Sequence, residues 1–303
     1  MKAMMLCVML AGLLGGCAGA KRTEADVVVA PLVPRESVRI FDRGGAPVDW
    51  DAMIAGVRDA GAIIIGETHG HAMGLAAAAD VWEAVASSSA ALLLEFFERD
   101  QQVALDDYLS GVTDTDAFLK AAGRTSSNYP AGHSRMVETA RAVGAPVIAA
   151  NAPRRYVRRT TAGGYENLVS LGSEQQRLFV VPDVLVTGKY RDDFFGLMGG
   201  MSHGPAGEGG GMPAAMIEKM YRSQQMWDAT MADSTARALM AGAQPALLVI
   251  GRFHSDFDGG TVEFLRHRVP DARIVTLSMV ASSEVEIADD DRGRADFVFY
   301  VGQ

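Results

Sequence analysis

The sequence predicts an α/β domain, a mostly parallel sheet with helices on both faces, and three features predict it. Short uninterrupted apolar runs, such as Ala62–Ile65, Ala91–Leu94 and the PALLVIG of residues 245–251, read as strands buried on both faces. Segments of helical period separate them, the alternation that joins parallel strands by crossover helices. Several runs also end in ionisable residues, at the carboxyl edge where open α/β sheets place ligands.

In chain order, a helix is expected over residues 49–60, a strand over 61–67, a helix over 72–87 and a strand over 90–97. Helices follow near 98–109 and 132–144, then the strand PVIAAN at 146–151. A long helix near 213–242, the strand at 245–251, a helix near 259–268 and the strands ARIVTLSMV and ADFVFYV complete the set. Glycine is so dense in FFGLMGGMSHGPAGEGGGMP, residues 194–213, that this stretch reads as a mobile loop. The following Met216 and Met220, with Ile217 alongside, read as core.

Residues 1–16 read as a signal peptide, because one basic residue precedes an apolar run shorter than the roughly 20 residues a membrane span needs. Leu14-Gly15-Gly16-Cys17 resembles a lipobox, so Cys17 is the expected lipidated residue, residues 17–37 its tether, and residues 38–303 one α/β domain. Ala18 rather than an aspartate follows the cysteine, which favours the outer membrane in a two-membrane host.

Cys7 is the only other cysteine and lies in the segment expected to be removed, so the domain has no disulfide, zinc-thiolate cluster or iron-sulfur centre. Hydrophobic residues make up 49% of the chain, enough for a core to stabilise the fold without such staples. A net charge of −9 argues against nucleic acid, whose phosphates need a concentrated basic face.

GETHGH follows the first strand, EFFER the second, NAPRR the third and GRFHSD the fourth. If these strands are parallel neighbours, Glu67, His69, His71, Glu95, Glu98, Asn151, Arg154, Arg252, His254 and Asp256 converge on one cleft. Thr68 is also a candidate helix cap, and Glu98 a favourable acid in a first helical turn. Glu95 lies among apolar neighbours in LLLEFFE and requires an arginine, a histidine or a metal to face it. His71 and His267 read as surface residues.

GETH, LLLEFFERDQQVALDDYLSG, SNYPAGHSRMVETARAVGAPVIAANAPRRYVRR, SQQMWDATMA and IGRFH occur in this order. From about Ile40 to Val280 the chain thereby resembles the ChaN family of haem-binding uptake lipoproteins, within the Tiki and erythromycin-esterase-like superfamily. The resemblance implies an α/β domain that binds haem for iron acquisition, with metal-dependent proteases among its distant relatives. Glu67, His69, Glu95 and His254 match the superfamily's strand-edge residues, and are therefore the candidate ligands of a divalent metal ion and the candidate catalytic groups of a hydrolase. Arg252-Phe253 stands where a small residue is expected before the histidine.

Haem needs cations for its propionates and an axial donor for its iron. RRYVRR offers Arg154 over Arg158 at helical spacing, though such a run is also a common solvated face. Histidine, tyrosine and methionine are the available axial donors, and the candidates are His203, Tyr190 and Met201, with Met198 and Met212 nearby. Limited cover from one chain makes a haem-bridged homodimer an expectation. HExxH and P-loop motifs are missing. Two functions remain: a membrane-anchored haem-binding lipoprotein, and a metal-dependent hydrolase.

Overall fold

Every side chain of Ala62–Glu67 is buried, because this strand lies inside a sheet covered on both sides. The computed structural model describes residues 37–200 and 212–303. A hairpin of β1 (Arg39–Asp42) and β2 (Pro47–Val48) is followed by α1 (Trp50–Val57), β3 (Ala62–Glu67), α2 (Ala72–Val85) and β4 (Ala91–Glu98). Helices α3 (Gln102–Leu109), α4 (Thr115–Ala121) and α5 (Ala131–Val143) lead to β5 (Val147–Asn151). Next come α6 (Arg154–Gly163), α7 (Ser173–Gln176), α8 (Lys189–Gly200) and α9 (Ala214–Met240). The chain closes with β6 (Ala246–Gly251), α10 (Thr261–Arg268), β7 (Ile274–Val280) and β8 (Phe297–Tyr300).

The strands form one sheet in the order β2-β1-β8-β7-β3-β6-β4-β5. Neighbours from β8 to β5 are parallel, whereas β1 and β2 add an antiparallel edge. Alternation along the strands sorts the core into two layers. Ile63, Ile65, Leu92, Leu94, Leu247 and Val249 pack with the α1 to α5 side. Ile64, Leu93, Leu248 and Ile250 pack with α8, α9 and α10 on the other. Full burial of each such side chain contributes about 1.5–3 kcal/mol. Among the described residues no helix is long and apolar enough to cross a membrane.

β3 and β6 lie side by side, yet α2 leaves β3 on one face and α10 follows β6 on the other. Their connections diverge and leave a crevice at the strands' carboxyl ends, the switch point of an open α/β sheet.

Two expectations need correction. Residues 194–200 are not loop: α8 runs to Gly200, because Tyr190 and Phe194 bury themselves against α9 and offset the poor helix propensity of glycine. Met216 is not core, being 45% exposed, whereas its neighbour Ile217 is buried.

Candidate functional site

The crevice holds a pocket of about 450 Å³. Glu67, Thr68 and His69 enter it from the end of β3, Glu95 and Glu98 from β4, and Gly251 to His254 from β6. Asn151 and Arg154 come from the junction of β5 and α6, and Phe194, Leu197, Met198, Gln224 and Trp227 from α8 and α9. The strand ends therefore contribute most of the ionisable groups, and α8 and α9 mostly apolar ones. The four strand-edge residues Glu67, His69, Glu95 and His254 all lie in the pocket.

Two carboxylate-imidazole chains form the ionisable side. In the first, His69 Nδ1 is 2.9 Å from Glu67 Oε1, and the buried His133 places its Nε2 2.9 Å from Glu67 Oε2. Burial works against the charge on Glu67, but the two imidazoles outweigh it and hold the carboxyl at about 2. Its hydrogen bond to Glu67 raises His69 above the usual imidazole range. Nδ1 of His133 is buried without a hydrogen-bond partner.

In the second, His254 Nδ1 lies 2.6 Å from Oδ1 of the fully buried Asp228, and its Nε2 lies 3.7 Å from Glu95 Oε1. Burial disfavours the imidazolium, yet Asp228 and then Glu95 prevail and hold His254 at about 9. Asp228 also accepts from Thr261 Oγ1 at 2.9 Å and from the Tyr190 hydroxyl at 2.7 Å. Glu95 finds the partners its apolar setting requires in His254 and in the Gly251 amide, which donates to Oε2 at 2.5 Å.

The remaining candidates are dispersed: His71 and Asp256 lie outside the pocket wall, Asp256 being paired with Arg252 and Arg294. Tyr190 is buried with its hydroxyl on Asp228, and burial first of all pushes it well above its ordinary pKa; it forms no part of the pocket wall. Arg154 is part of the wall and stands 5.9 Å over the Trp227 ring, whereas Arg158 is exposed and outside the wall. Arg155 pairs with Asp100, and Arg159 donates to the Asn167 carbonyl. Met198 is in the wall, while Met201, His203 and Cys17 lie outside the described residues. Phe253 lines the pocket, and its ring packs 5.2 Å from that of Tyr190. Thr68 is not the cap of α2: its hydroxyl donates to the Met279 carbonyl, and His71 caps the helix by accepting from the Gly74 amide at 3.1 Å.

His133 and Asp228, the inner members of the two chains, were not singled out by sequence. Asp228 gives one signal, an acid flanked by Trp227, Ala229 and Met231 in a long helix. The LEFFERDQQ block proves largely structural. Arg99 ties the end of β4 to α9 through Asp233 and Ser234, and the Gln102 carboxamide bonds Val147 O and Ala149 N on the free edge of β5.

A model described as haem-binding uptake, Tiki superfamily, ChaN matches residues 53–265. The chain belongs to the ChaN family. It is thereby a member of a haem-binding uptake family. The structure of ChaN of Campylobacter jejuni, described as binding haem cofacially, superposes with a TM-score of 0.65 at 17% identity, covering 88% of this chain and 97% of that one. This likeness shows the same α/β fold. The type III effector HopBA1 (TM-score 0.46, 14% identity, 84% and 92% covered) is more remote. So is an effector domain of a Vibrio vulnificus toxin (0.38, 18%, 84% and 37%). Among curated proteins no sequence match is found.

For the divalent ion, the geometry offers little. Among the described residues no group of three or more His, Cys, Asp or Glu is arranged to hold a metal ion. Both oxygens of Glu67 already face imidazoles, and His254 faces a carboxylate on each side.

Proposed function

We propose that this pocket receives haem as the cargo of uptake, at a membrane surface to which acylated Cys17 anchors the domain. The observation that carries the reading is the division of the pocket. Phe194, Leu197, Met198, Trp227 and Phe253 offer an apolar slot for a flat ring, and Arg154 at its border offers a cation for a propionate. The strand ends supply donors toward the iron. When bound, haem contributes an iron that needs one or two axial ligands and a macrocycle that needs shielding from water.

At about 450 Å³ the pocket lies toward the small end of ligand sites, and a tetrapyrrole with two propionates leaves an edge outside it. A second copy of the chain covering that edge accounts for the haem-bridged dimer expected from sequence, and the cofacial haem binding described for the Campylobacter jejuni protein supports it. The outer membrane remains the favoured location, on the strength of Ala18 after the lipidated cysteine.

Titration of the purified protein with haemin, followed by absorption and by sedimentation, tests the reading. A saturable Soret change accompanied by dimer formation is the expected result. No Soret change at micromolar haemin refutes it.

A further inference from the structure

Strand β5 ends the strand order, so its outer side is an edge of the sheet. A second cleft, of about 330 Å³, lies beside it, bounded by Gln102 at the start of α3 and by the last turns of α9. Gln102 spans the edge: its Nε2 donates to the Val147 carbonyl at 2.9 Å, and its Oε1 accepts from the Ala149 amide at 2.7 Å. These are the two bonds that the N–H and C=O of one residue in a parallel neighbouring strand make across from the residue between, here Ile148. The carboxamide therefore stands where a peptide group fits. Edge protection accounts for the carboxamide but not for the cleft beside it.

Ile148, Leu178, Ala238 and Ala241 give the cleft an apolar lining, to which Arg99, Arg177 and Arg237 add cations. Arg99 is fixed by Asp233 at 2.7 Å and Ser234 at 2.8 Å, and the same Asp233 also serves Arg237 at 2.8 Å. Burial above all lowers the proton affinity of Arg99; Asp233 opposes this, and the charges of Arg237 and Arg268 add to it. The pair of Arg177 with Glu174 is exposed on both sides and contributes little. Four guanidiniums thus share two carboxylates, in a chain whose net charge is −9. Ile148 packs with the α8 to α10 side, so every second side chain of an added strand turns toward α9 and the arginines.

We propose that this cleft is a docking site for an extended acidic segment of a partner protein, which pairs with β5 in parallel, displaces the Gln102 carboxamide and sets acidic side chains at alternate positions against Arg99, Arg177 and Arg237. The segment restores both edge bonds that Gln102 gives up, and Gln102 keeps its bond to Asp106 Oδ1, 2.9 Å away on the same helix. Main-chain pairing supplies affinity, and the arginines select for charge. Among the described residues the cleft shares none with the pocket proposed for haem, so the two sites are independent.

Fluorescence anisotropy of a tagged synthetic peptide of alternating glutamate and valine, titrated with the full chain, tests this. Saturable binding of this peptide, and none of its lysine-valine counterpart, is the expected result. Arg177→Ala and Arg237→Ala, both at exposed side chains, should each weaken binding about tenfold, the loss of one charge-assisted contact, and leave haemin binding unchanged. A glutamate facing α9 turns its own amide to β5. N-methylation of the glutamates should therefore abolish binding, whereas N-methylation of the valines should preserve it. No saturable binding of the acidic peptide, equal binding of the lysine peptide, unchanged binding by both arginine variants, or binding that survives N-methylation of the glutamates overturns the assignment.

Discussion

Asp228→Asn probes the second carboxylate-imidazole chain, and its effect follows from the contacts. Oδ1 accepts from His254 Nδ1 at 2.6 Å and Thr261 Oγ1 at 2.9 Å, and Oδ2 accepts from the Tyr190 hydroxyl at 2.7 Å. An amide offers one oxygen and one NH2. The oxygen has to stay on the His254 side, where two donors point, and the NH2 then faces Tyr190, whose hydroxyl can turn and accept, and Gln225 Nε2, whose long 3.4 Å bond to Oδ2 is given up. Geometry survives while the charge is lost. With Asp228 ionised, His254 is held at about 9, against 6.5 for an ordinary imidazole. Because the folded-state value is the higher one, the stabilisation is complete below about pH 6.5 and is lost as pH rises through about 9. At 1.36 kcal/mol for each tenfold change in proton affinity, it amounts to about 3 kcal/mol. Urea denaturation followed by circular dichroism at a series of pH values reads this directly. The wild type should lose about 3 kcal/mol between pH 6.5 and 9, and the variant, which keeps Glu95 beside His254 but not the Asp228 charge, should start lower and lose clearly less over the same range. Parallel curves across the range would show that the imidazolium is not what Asp228 stabilises.

Three further outcomes are expected. A Cβ at position 132 would stand 2.7 Å from the Leu75 carbonyl oxygen and 2.8 Å from its Cβ, so Gly132→Ala should push α5 off α2 at a cost of about 1–3 kcal/mol; an unchanged melting temperature refutes this. Arg154→Ala should weaken haemin binding about tenfold, the loss of one charge-assisted contact, whereas Arg158→Ala, outside the pocket wall, should leave the titration unchanged. Equal effects of the two would favour a diffuse basic surface instead. Cys17→Ser should move the full chain from the membrane fraction to the soluble one on expression in a bacterium, since two or more acyl chains give stable anchoring. A wild type found wholly soluble and unmodified at Cys17 removes the lipoprotein reading.

The strands were legible because burial on both faces leaves an unmistakable trace, four or more apolar residues in a row, and because parallel strands present their carboxyl ends together. That argument brought Glu67, His69, Glu95 and His254 to one pocket without any knowledge of how the helices pack. It could not reach His133, whose link to Glu67 spans 66 positions and depends on α5 packing closely against α2. Nor could it see that Tyr190 turns its hydroxyl into the core, because a tyrosine beside a glycine-rich stretch carries no mark of direction.

Helix α9 shows what a pattern of apolar residues conceals. Periodicity is usually read as apolar side inward, yet here Met216 and Met240 are exposed, while Ser223, Gln224, Gln225, Asp228, Thr230, Ser234 and Thr235 are buried beside Tyr221, Met226 and Met231. A helix that buries so many polar groups with its apolar ones is stable only if they find partners, since each one left unpaired costs on the order of 1–3 kcal/mol. The partners are specific. Asp228 takes His254, Tyr190 and Thr261; Gln225 takes the Val186 amide; Ser234 takes Arg99 and the Ala150 carbonyl. Several of these partners stand at or just behind the strand ends that form the pocket. The buried polar stripe of α9 is therefore the back of the site. In sequence it is written as SQQMWDATMADST, where polar residues recur at helical spacing among small and apolar ones. Such a stripe in a long helix that leads into a parallel strand is itself evidence of a ligand pocket, because an ordinary core would have filled those positions with aliphatic side chains.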